Sequence, residues 1–490
     1  MLAVSPSESA IDLEAVACNE QPCSFDNSRY NFSVPVTDGV LLYNANSGAV
    51  TKLTGADAVE FGAVLSGGIC EFEAGTLPEG LITQFRAGGF LVPSGTDELA
   101  IIRERFWKAR GGTPMVVTLT TTMNCNLGCY YCYESRSGDR LTGSDVLGII
   151  TWVADRLVIA PRDGLHVDWY GGEPLLNQEF IESASAALQA LCTKLQAPYS
   201  ASVISNGTAW PDDVEAFVQR HRIRQVQVSL DGLQPNHDKR RRYRTGYRPG
   251  PTASSFELAT ALVDRLLNHT RVDIRLNLDR ENQIDLQPFV EFARTRGWFD
   301  RKFQAVIQPA RLAFFSQRSS FMRKVEMSVV EYDRLRKDLR DHAGCDVRIE
   351  ESEAPEGFPY PKTSVCAALA SRSVVFGADG LTYRCGLQVG EKHRAVGKTS
   401  SADLPGQPAE VFADSAWWQA FDPTIQPNCS RCSFLPICWG GCPKKHLEGD
   451  SHVLQEQSLY WRRNLPRLVA SRFGVTPPPE FVYSEADQFR

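Results

Sequence analysis

Met115-Val116-Val117-Thr118-Leu119, followed closely by Cys125-Asn126-Leu127-Gly128-Cys129-Tyr130-Tyr131-Cys132, is the stretch on which the reading of this chain turns. The first run is apolar, β-branched and of strand length. The second is a tight loop with three cysteines in CxxxCxxC spacing, and Gly128 gives its backbone the freedom to wrap a compact object. Three thiolates are one short of a closed four-ligand site. A [4Fe–4S] cluster held by three cysteines keeps one iron open for a substrate or cofactor. A zinc site completed by His or Asp is the other reading of the same spacing.

Working outward, the chain alternates between apolar runs and helical patterns. Leu165–Trp169, Ala201–Ile204, Val226–Leu230, Val272–Leu276 and Phe303–Ile307 read as further strands; Gly143–Val158, Gln178–Leu195, Asp212–His221 and Ser254–Asn268 read as helices. Six β-then-α repeats make an α/β fold with a parallel sheet, open or barrel-like, whose chemistry belongs at the C-terminal ends of the strands. Three polar motifs follow strands directly: Gly171-Gly172-Glu173-Pro174, Ser205-Asn206-Gly207 and Ser229-Leu230-Asp231-Gly232. Arg275 and Asn277 lie on the fifth strand. The basic run Lys239-Arg240-Arg241-Arg242 reads as a solvated face, because charge runs are usually that and the whole chain is acidic.

The 490 residues call for two to four domains, and 43% hydrophobic residues can supply their cores. A net charge of -6 removes the broad attraction that binders of nucleic acid and anionic membranes use, so neither DNA nor a membrane is expected as a partner. There is no apolar run long enough to span a bilayer, and the N-terminus has neither a basic start nor an apolar signal-like core, so the expectation is a soluble cytoplasmic protein. In that compartment the fourteen cysteines point to metal before disulfides. Besides the loop they fall into Cys366 with Cys385, and Cys429-x2-Cys432-x5-Cys438-x3-Cys442; Cys18, Cys23, Cys70, Cys192 and Cys345 stand apart. Six cysteines interleaved with Gly and Pro can hold two metal centres, iron–sulfur or zinc.

With Tyr131 before its last cysteine, the loop resembles the signature of the radical S-adenosylmethionine (SAM) superfamily. The resemblance implies a partial (β/α)6 barrel whose open iron chelates the amino and carboxylate groups of S-adenosyl-L-methionine. Reductive cleavage then gives a 5′-deoxyadenosyl radical that abstracts hydrogen from the substrate. It implies that Gly171 and Gly172 bring carbonyls to the cofactor ammonium with Glu173 adding negative charge. Asn206, Ser229 and Asp231 would lie near the ribose and methionine ends, and Arg275 with Asn277 near the carboxylate.

The later cysteines resemble the SPASM domain of radical enzymes that modify peptides. By that likeness Cys366, Cys385 and Cys442 ligate a first auxiliary iron–sulfur cluster and Cys429, Cys432 and Cys438 a second, giving one or two such clusters. The family's seventh cysteine is absent here; His446, Glu448 and Asp450 are nearby candidates for the vacant position, and Cys345 for completing the first cluster.

Residues 30–93 resemble in their order of elements, with helical spacing over Ala56–Leu65 and Pro78–Ala87, the winged-helix recognition element of enzymes that process ribosomally made and modified peptides (RiPPs). There a leader peptide would add a strand near Gly39–Tyr43.

The expected organisation is a flexible arm over 1–27, a peptide-binding module over 28–98, a linker helix over 99–112, the barrel over 113–310, a SPASM-like domain over 311–460, and a C-terminal helix and tail over 461–490. The resemblance implies a maturase that abstracts hydrogen from a precursor peptide and forms a thioether or carbon–carbon cross-link. Its partners would be the precursor peptide and an electron donor such as flavodoxin or ferredoxin. A sulfatase-maturase-like oxidation of Cys or Ser to formylglycine ranks lower, because Gly386 stands where that family has an acidic base. A zinc-stabilised peptide-binding protein is the alternative of another class.

Overall fold

The computed structural model describes residues 24–55, 71–72, 79–250, 252–312, 317–344, 346–349, 357–399, 412–478 and 481–489. Its contacts divide the chain into two units: Met1–Gly112 with Pro355–Val365 and Phe421–Arg490, and Thr113–Ala354 with Cys366–Ala420. The helix expected over Ala56–Leu65, and Cys18, Cys23, Cys70 and Cys345, lie outside the described residues.

The first unit contains strands β1 (Phe25–Asn27), β2 (Asn31–Val36), β3 (Gly39–Asn44), β4 (Val50–Leu53), β5 (Glu71–Phe72) and β6 (Leu91–Pro93). They form two antiparallel sheets in the orders β5-β1-β6 and β2-β3-β4. The turn after β3 is made by Asn44, whose Oδ1 accepts from the Asn46 and Ser47 amides, as side chains of this type do in tight turns. Helices Glu79–Ala87, Glu98–Gly112 and Ser451–Ser471 complete the unit.

Three expectations change here. Residues 1–23 of the expected arm are not described, but Phe25–Asn27 is a strand paired on both sides, with Phe25 buried. β3 is the central strand of its sheet, hydrogen-bonded to β2 and β4, so no peptide strand can add at Gly39–Tyr43. The SPASM-like segment is also not one body: 421–460 shares a unit with the N-terminal strands, and 366–420 belongs with the large sheet. The cause is aromatic burial between distant segments. Phe32 stacks on Phe434 with ring centroids 4.9 Å apart, and the Tyr483 hydroxyl donates to the Ser33 carbonyl at 3.0 Å.

The second unit is built on β7 (Met115–Thr122), β8 (Leu165–Gly171), β9 (Tyr199–Ser205), β10 (Ile223–Leu230), β11 (Arg271–Leu278), β12 (Ala305–Arg311), β13 (Arg348–Ile349), β14 (Val374–Phe376), β15 (Leu381–Tyr383) and β16 (Gly397–Lys398). They form one open sheet in the order β13-β12-β11-β10-β9-β8-β7-β14-β15-β16, parallel from β13 to β14. The six strands expected from the sequence are its middle. Two short strands from the region read as SPASM-like extend it in parallel, β13 beside β12 and β14 beside β7.

Local chemistry starts the covering helices: the Ser254 side chain accepts from the Glu257 amide ahead of Ser255–Leu266, and Asp213 accepts from Ala216 ahead of Val214–Arg220. Alternation then sorts the strand faces. Val226, Val228 and Leu230 of β10 are buried in one apolar cluster with Phe256, Ala259, Leu262 and Val263, while Gln227 and Ser229 face the other way and are half-buried. That opposite face is polar. Asp168 accepts from Ser202, and Asp273 accepts from Gln225, Gln308 and Arg271.

Candidate active site

The loop Cys125–Cys132 leaves the C-terminal end of β7, and neighbouring strand ends hold it by backbone bonds. The Gly172 amide donates to the Thr122 carbonyl at 2.9 Å and the Glu173 amide to the Asn124 carbonyl at 3.0 Å. This approach requires glycine: a Cβ on Gly172 would fall 2.8 Å from the Asn124 carbonyl carbon and 2.9 Å from the Met123 carbonyl oxygen. On the far side the Gly128 amide donates to the Arg242 carbonyl at 2.7 Å and the Arg244 amide to the Asn126 carbonyl at 2.9 Å. The Arg244 guanidinium reaches the Asn124 side chain and the Cys125 carbonyl.

The three thiols suit a cluster. Two N–H groups point at Cys125 Sγ, the Leu127 amide at 3.4 Å and Asn206 Nδ2 at 3.6 Å. Loss of water around the sulfurs pushes the Cys125 thiol up to about 12 and Cys132 to about 11, with nearby acidic groups adding to the rise; Cys129 is raised too, by burial, against the pull of Arg241. Without metal these sulfurs are protonated, and metal must displace the protons to bind them. Among the described residues, no three His, Cys, Asp or Glu side chains are arranged to hold a single metal ion.

A buried ionic latch holds the aromatic pair of the loop. The Tyr131 hydroxyl donates to Asp231 at 2.7 Å and the Tyr130 hydroxyl to Asp279 at 3.0 Å. Arg240 bridges them, with Nε on Asp231 at 3.0 Å, NH2 on Asp279 at 2.9 Å and NH1 on the Tyr130 hydroxyl at 2.8 Å. Arg241 NH1 donates to the Tyr131 hydroxyl at 2.6 Å. Both aspartates are 0% exposed, and Arg240 and Arg241 are 4% and 6% exposed. The basic run is therefore not the solvated face expected: Lys239 and Arg242 are exposed, but its two central arginines are buried because two carboxylates neutralise them.

The expected cofactor residues divide. Glu173 is fully buried and turned inward, accepting from the Asn206 amide at 2.8 Å, the Ser205 hydroxyl at 2.9 Å and the Leu175 amide at 3.2 Å, so it ties the end of β8 to the end of β9. Burial raises it to about 7, against those hydrogen bonds. The Asp231 carboxylate is taken up by the latch. Asn206 is committed to Cys125, Asn126 and Thr208. Ser229 and Arg275 stand opposite one another in register on β10 and β11, both half-buried, with Arg275 Nε donating to Asn277 Oδ1 at 3.2 Å.

Sequence reasoning missed Arg240, Arg241, Tyr130 and Asp279. It also missed the Tyr133 and Tyr170 hydroxyls, which hydrogen-bond one another, and Glu134, which hydrogen-bonds Tyr170. The one available signal was a pair of adjacent tyrosines inside the cysteine loop, whose hydroxyls need partners.

Of the later cysteines, Cys366 and Cys385 lie in the sheet unit and Cys429, Cys432, Cys438 and Cys442 in the other. Gly386, beside Cys385, faces the barrel end: a Cβ there would touch Tyr170 Cε1 at 3.8 Å. Cys429, Cys432 and Cys438 act on one another electrostatically; desolvation pushes the first two up to about 12 and raises the third.

A parallel sheet carrying a three-cysteine loop at the C-terminal end of its first barrel strand defines the class, and residues 119–293 match the Radical SAM superfamily model. The chain carries a radical SAM domain, whose superfamily consists of enzymes that use S-adenosyl-L-methionine and a [4Fe–4S] cluster as cofactors. Among curated proteins it is similar to the serine-type anaerobic sulfatase-maturating enzyme of Klebsiella pneumoniae, 23% identical over 329 residues that cover 65% of this chain and 79% of that one. It is also similar to the sporulation killing factor maturation protein SkfB of Bacillus subtilis, 30% identical over 135 residues, 28% of this chain and 30% of that one. The solved structure of native anSMEcpe with bound AdoMet shares the fold with TM-score 0.54 at 17% identity, over 74% of this chain and 100% of the other. No helix among the described residues is long and apolar enough to cross a membrane.

Proposed function

We propose that this enzyme matures a ribosomally made peptide by taking a hydrogen atom from one residue and closing a thioether or carbon–carbon cross-link. The observation that carries the reading is a second cysteine turn at the radical end of the sheet: Gly386, next to Cys385, faces Tyr170, and a Cβ on Gly390 would run into Ser135. Cys385 would there be a ligand of an auxiliary cluster, which would supply an acceptor for the electron released when a substrate radical closes on its partner. When bound, the cluster and S-adenosyl-L-methionine supply a carbon-centred radical that no side chain can generate.

The chain's own residues do the positioning. Gly171 and Gly172 let the β8 end approach the loop backbone, Ser229 and Arg275 offer a hydroxyl and a guanidinium to the amino-acid end of the cofactor, and the Tyr130–Tyr131 latch fixes the loop. Cys366 and Cys385 remain proposed ligands of a first auxiliary cluster, and Cys429, Cys432 and Cys438 of a second. The leader-binding role moves to β4, an edge strand of its sheet, since β2 already meets Tyr483 through Ser33. The electron for reductive cleavage would come from a reduced flavodoxin- or ferredoxin-type donor.

A second reading, oxidation of Cys or Ser to formylglycine, is favoured by the likeness to the Klebsiella pneumoniae enzyme. Gly386 weighs against it, since the position after Cys385 offers no base. The test is anaerobic turnover of the reconstituted enzyme with the small peptide encoded beside it. Loss of two hydrogens per link, in a product unreactive toward hydrazides, is expected. A hydrazide-reactive product establishes the formylglycine reading, and an unchanged peptide overturns both.

A further inference from the structure

In the first unit Cys429 is acted on by Cys438 and Cys432, and Cys432 by Cys438, and burial raises all three thiols. A four-iron cluster held there has one iron without a cysteine from this set. The chain turns sharply next to them through Gly440 and Gly441, at φ +76° and +75°, a conformation that favours glycine. A Cβ on Gly440 would meet Pro423 Cβ at 3.2 Å, Cys429 Sγ at 3.3 Å and His446 Nε2 at 3.4 Å, so a thiol and an imidazole nitrogen border the same narrow space.

The other groups near this turn are committed elsewhere. Glu448 pairs with Lys444 at 2.6 Å and lies 3.8 Å from Lys445; Asp450 pairs with Lys445 at 3.1 Å. Both lysines are buried, so stripping a carboxylate from either would leave an uncompensated internal charge. His446 makes a weaker commitment, with Nε2 2.7 Å from the Gly440 carbonyl. Exchanging that contact for an Fe–N bond moves one ring proton from Nε2 to Nδ1 and leaves no charge unpaired.

We propose that His446 is the fourth ligand of the iron–sulfur cluster held by Cys429, Cys432 and Cys438. The inference rests on the reading that these cysteines carry a cluster. An imidazole in place of a thiolate makes the centre less negative and raises its reduction potential, as replacement of cysteine by histidine does in other iron–sulfur proteins. Such a centre suits electron acceptance and leaves no open iron for substrate.

The test uses the full chain with Cys125, Cys129 and Cys132 changed to Ala, so that the remaining iron reports on auxiliary sites alone. Pulsed electron paramagnetic resonance of the reduced protein should show a 14N coupling that changes to its 15N counterpart when the protein is made with 15N-histidine. His446→Cys should keep the iron, lose the coupling and lower the midpoint potential. Should that variant fold poorly, the isotope experiment on the unaltered His446 still decides. Iron without a histidine coupling overturns the proposal, as does a coupling that survives in His446→Cys, or a cluster lost in Cys442→Ser and kept in His446→Ala. Absence of iron from the triple variant overturns instead the reading that these cysteines bind a cluster, and the proposal falls with it.

Discussion

Arg240→Met tests whether the latch, rather than the cysteines alone, holds the cluster loop shut. The substitution keeps a long apolar stem and removes a guanidinium that donates to Asp231, Asp279 and the Tyr130 hydroxyl at 2.8–3.0 Å. Removing one partner of a buried ion pair costs about 3–5 kcal/mol, because the other charge is left without water. Compensation here is partial. Asp231 keeps the Tyr131 hydroxyl and lies 3.5 Å from Arg241; Asp279 keeps the Tyr130 hydroxyl and the amides of Glu281 and Asn282. The low end, ~3 kcal/mol, therefore applies to closure of the loop, which is roughly a hundredfold in the opening equilibrium. Hydrogen exchange of the reconstituted enzyme should show it as lost protection at the Gly128 and Arg244 amides, with strands β9 and β10 unaffected. Asp279→Asn in the same chain should recover at least about 1 kcal/mol of the loss, since it removes one of the two stranded charges. A change in protection below about threefold, or no recovery in the double variant, refutes the latch.

Glu173 provides a pH test in the metal-free protein. Its folded-state value near 7 lies above its ordinary 4.5, so the group favours folding while protonated, and that stability is lost as pH rises through 7. The loss amounts to about 3 kcal/mol, and Glu173→Gln should flatten the fall in thermal midpoint between about pH 4.5 and 7; an unchanged slope sinks the assignment. Gly172→Ala drives a Cβ into the Asn124 backbone and should weaken S-adenosyl-L-methionine binding by roughly five- to 150-fold in equilibrium dialysis, given overpacking costs of about 1–3 kcal/mol; wild-type affinity would show that the strand end yields. Arg241, whose buried Nε has no hydrogen-bond partner among the described residues and whose charge acts on Cys129, offsets negative charge at the cluster. Arg241→Gln should lower the midpoint potential of the cluster by on the order of 100–200 mV with iron content unchanged, taking a charge about 4–8 Å away at an effective dielectric near 20; an unchanged potential counts against it.

What the sequence made legible was local. The six barrel strands are β-branched runs of the right length, and their observed bounds extend or shift the expected ones by a few residues because packing on both faces carries a strand past its most apolar core. The cysteine loop was legible because eight residues contain the whole chelating unit. The latch was not: Tyr130 and Asp279 are 149 residues apart, and nothing in a run of Lys and Arg reveals which members will meet buried carboxylates. Asp231 and Glu173 were assigned to the cofactor on position alone. Both do stand at strand ends, but their oxygens are used up inside the protein. The composition of the first unit was hidden for the same reason, since the stacking of Phe32 on Phe434 leaves no periodicity in either segment.

The buried charges of the latch have a physical purpose that follows from the open iron. A loop that binds metal through three thiolates has one ligand fewer than a closed site to stabilise it, and its thiols, raised by desolvation, prefer to keep their protons when metal is absent. The loop geometry must then come from contacts that survive loss of the cluster. Apolar packing alone would tolerate small slides of the loop, because it is not directional. Charge-assisted hydrogen bonds from two arginines to two aspartates and two tyrosines fix direction as well as distance. They place Arg241 beside Cys129, where its charge bears on the metal centre. The same ionic cluster thus gives the loop its shape and the cluster site its positive field, and this accounts for two arginines buried inside an acidic protein.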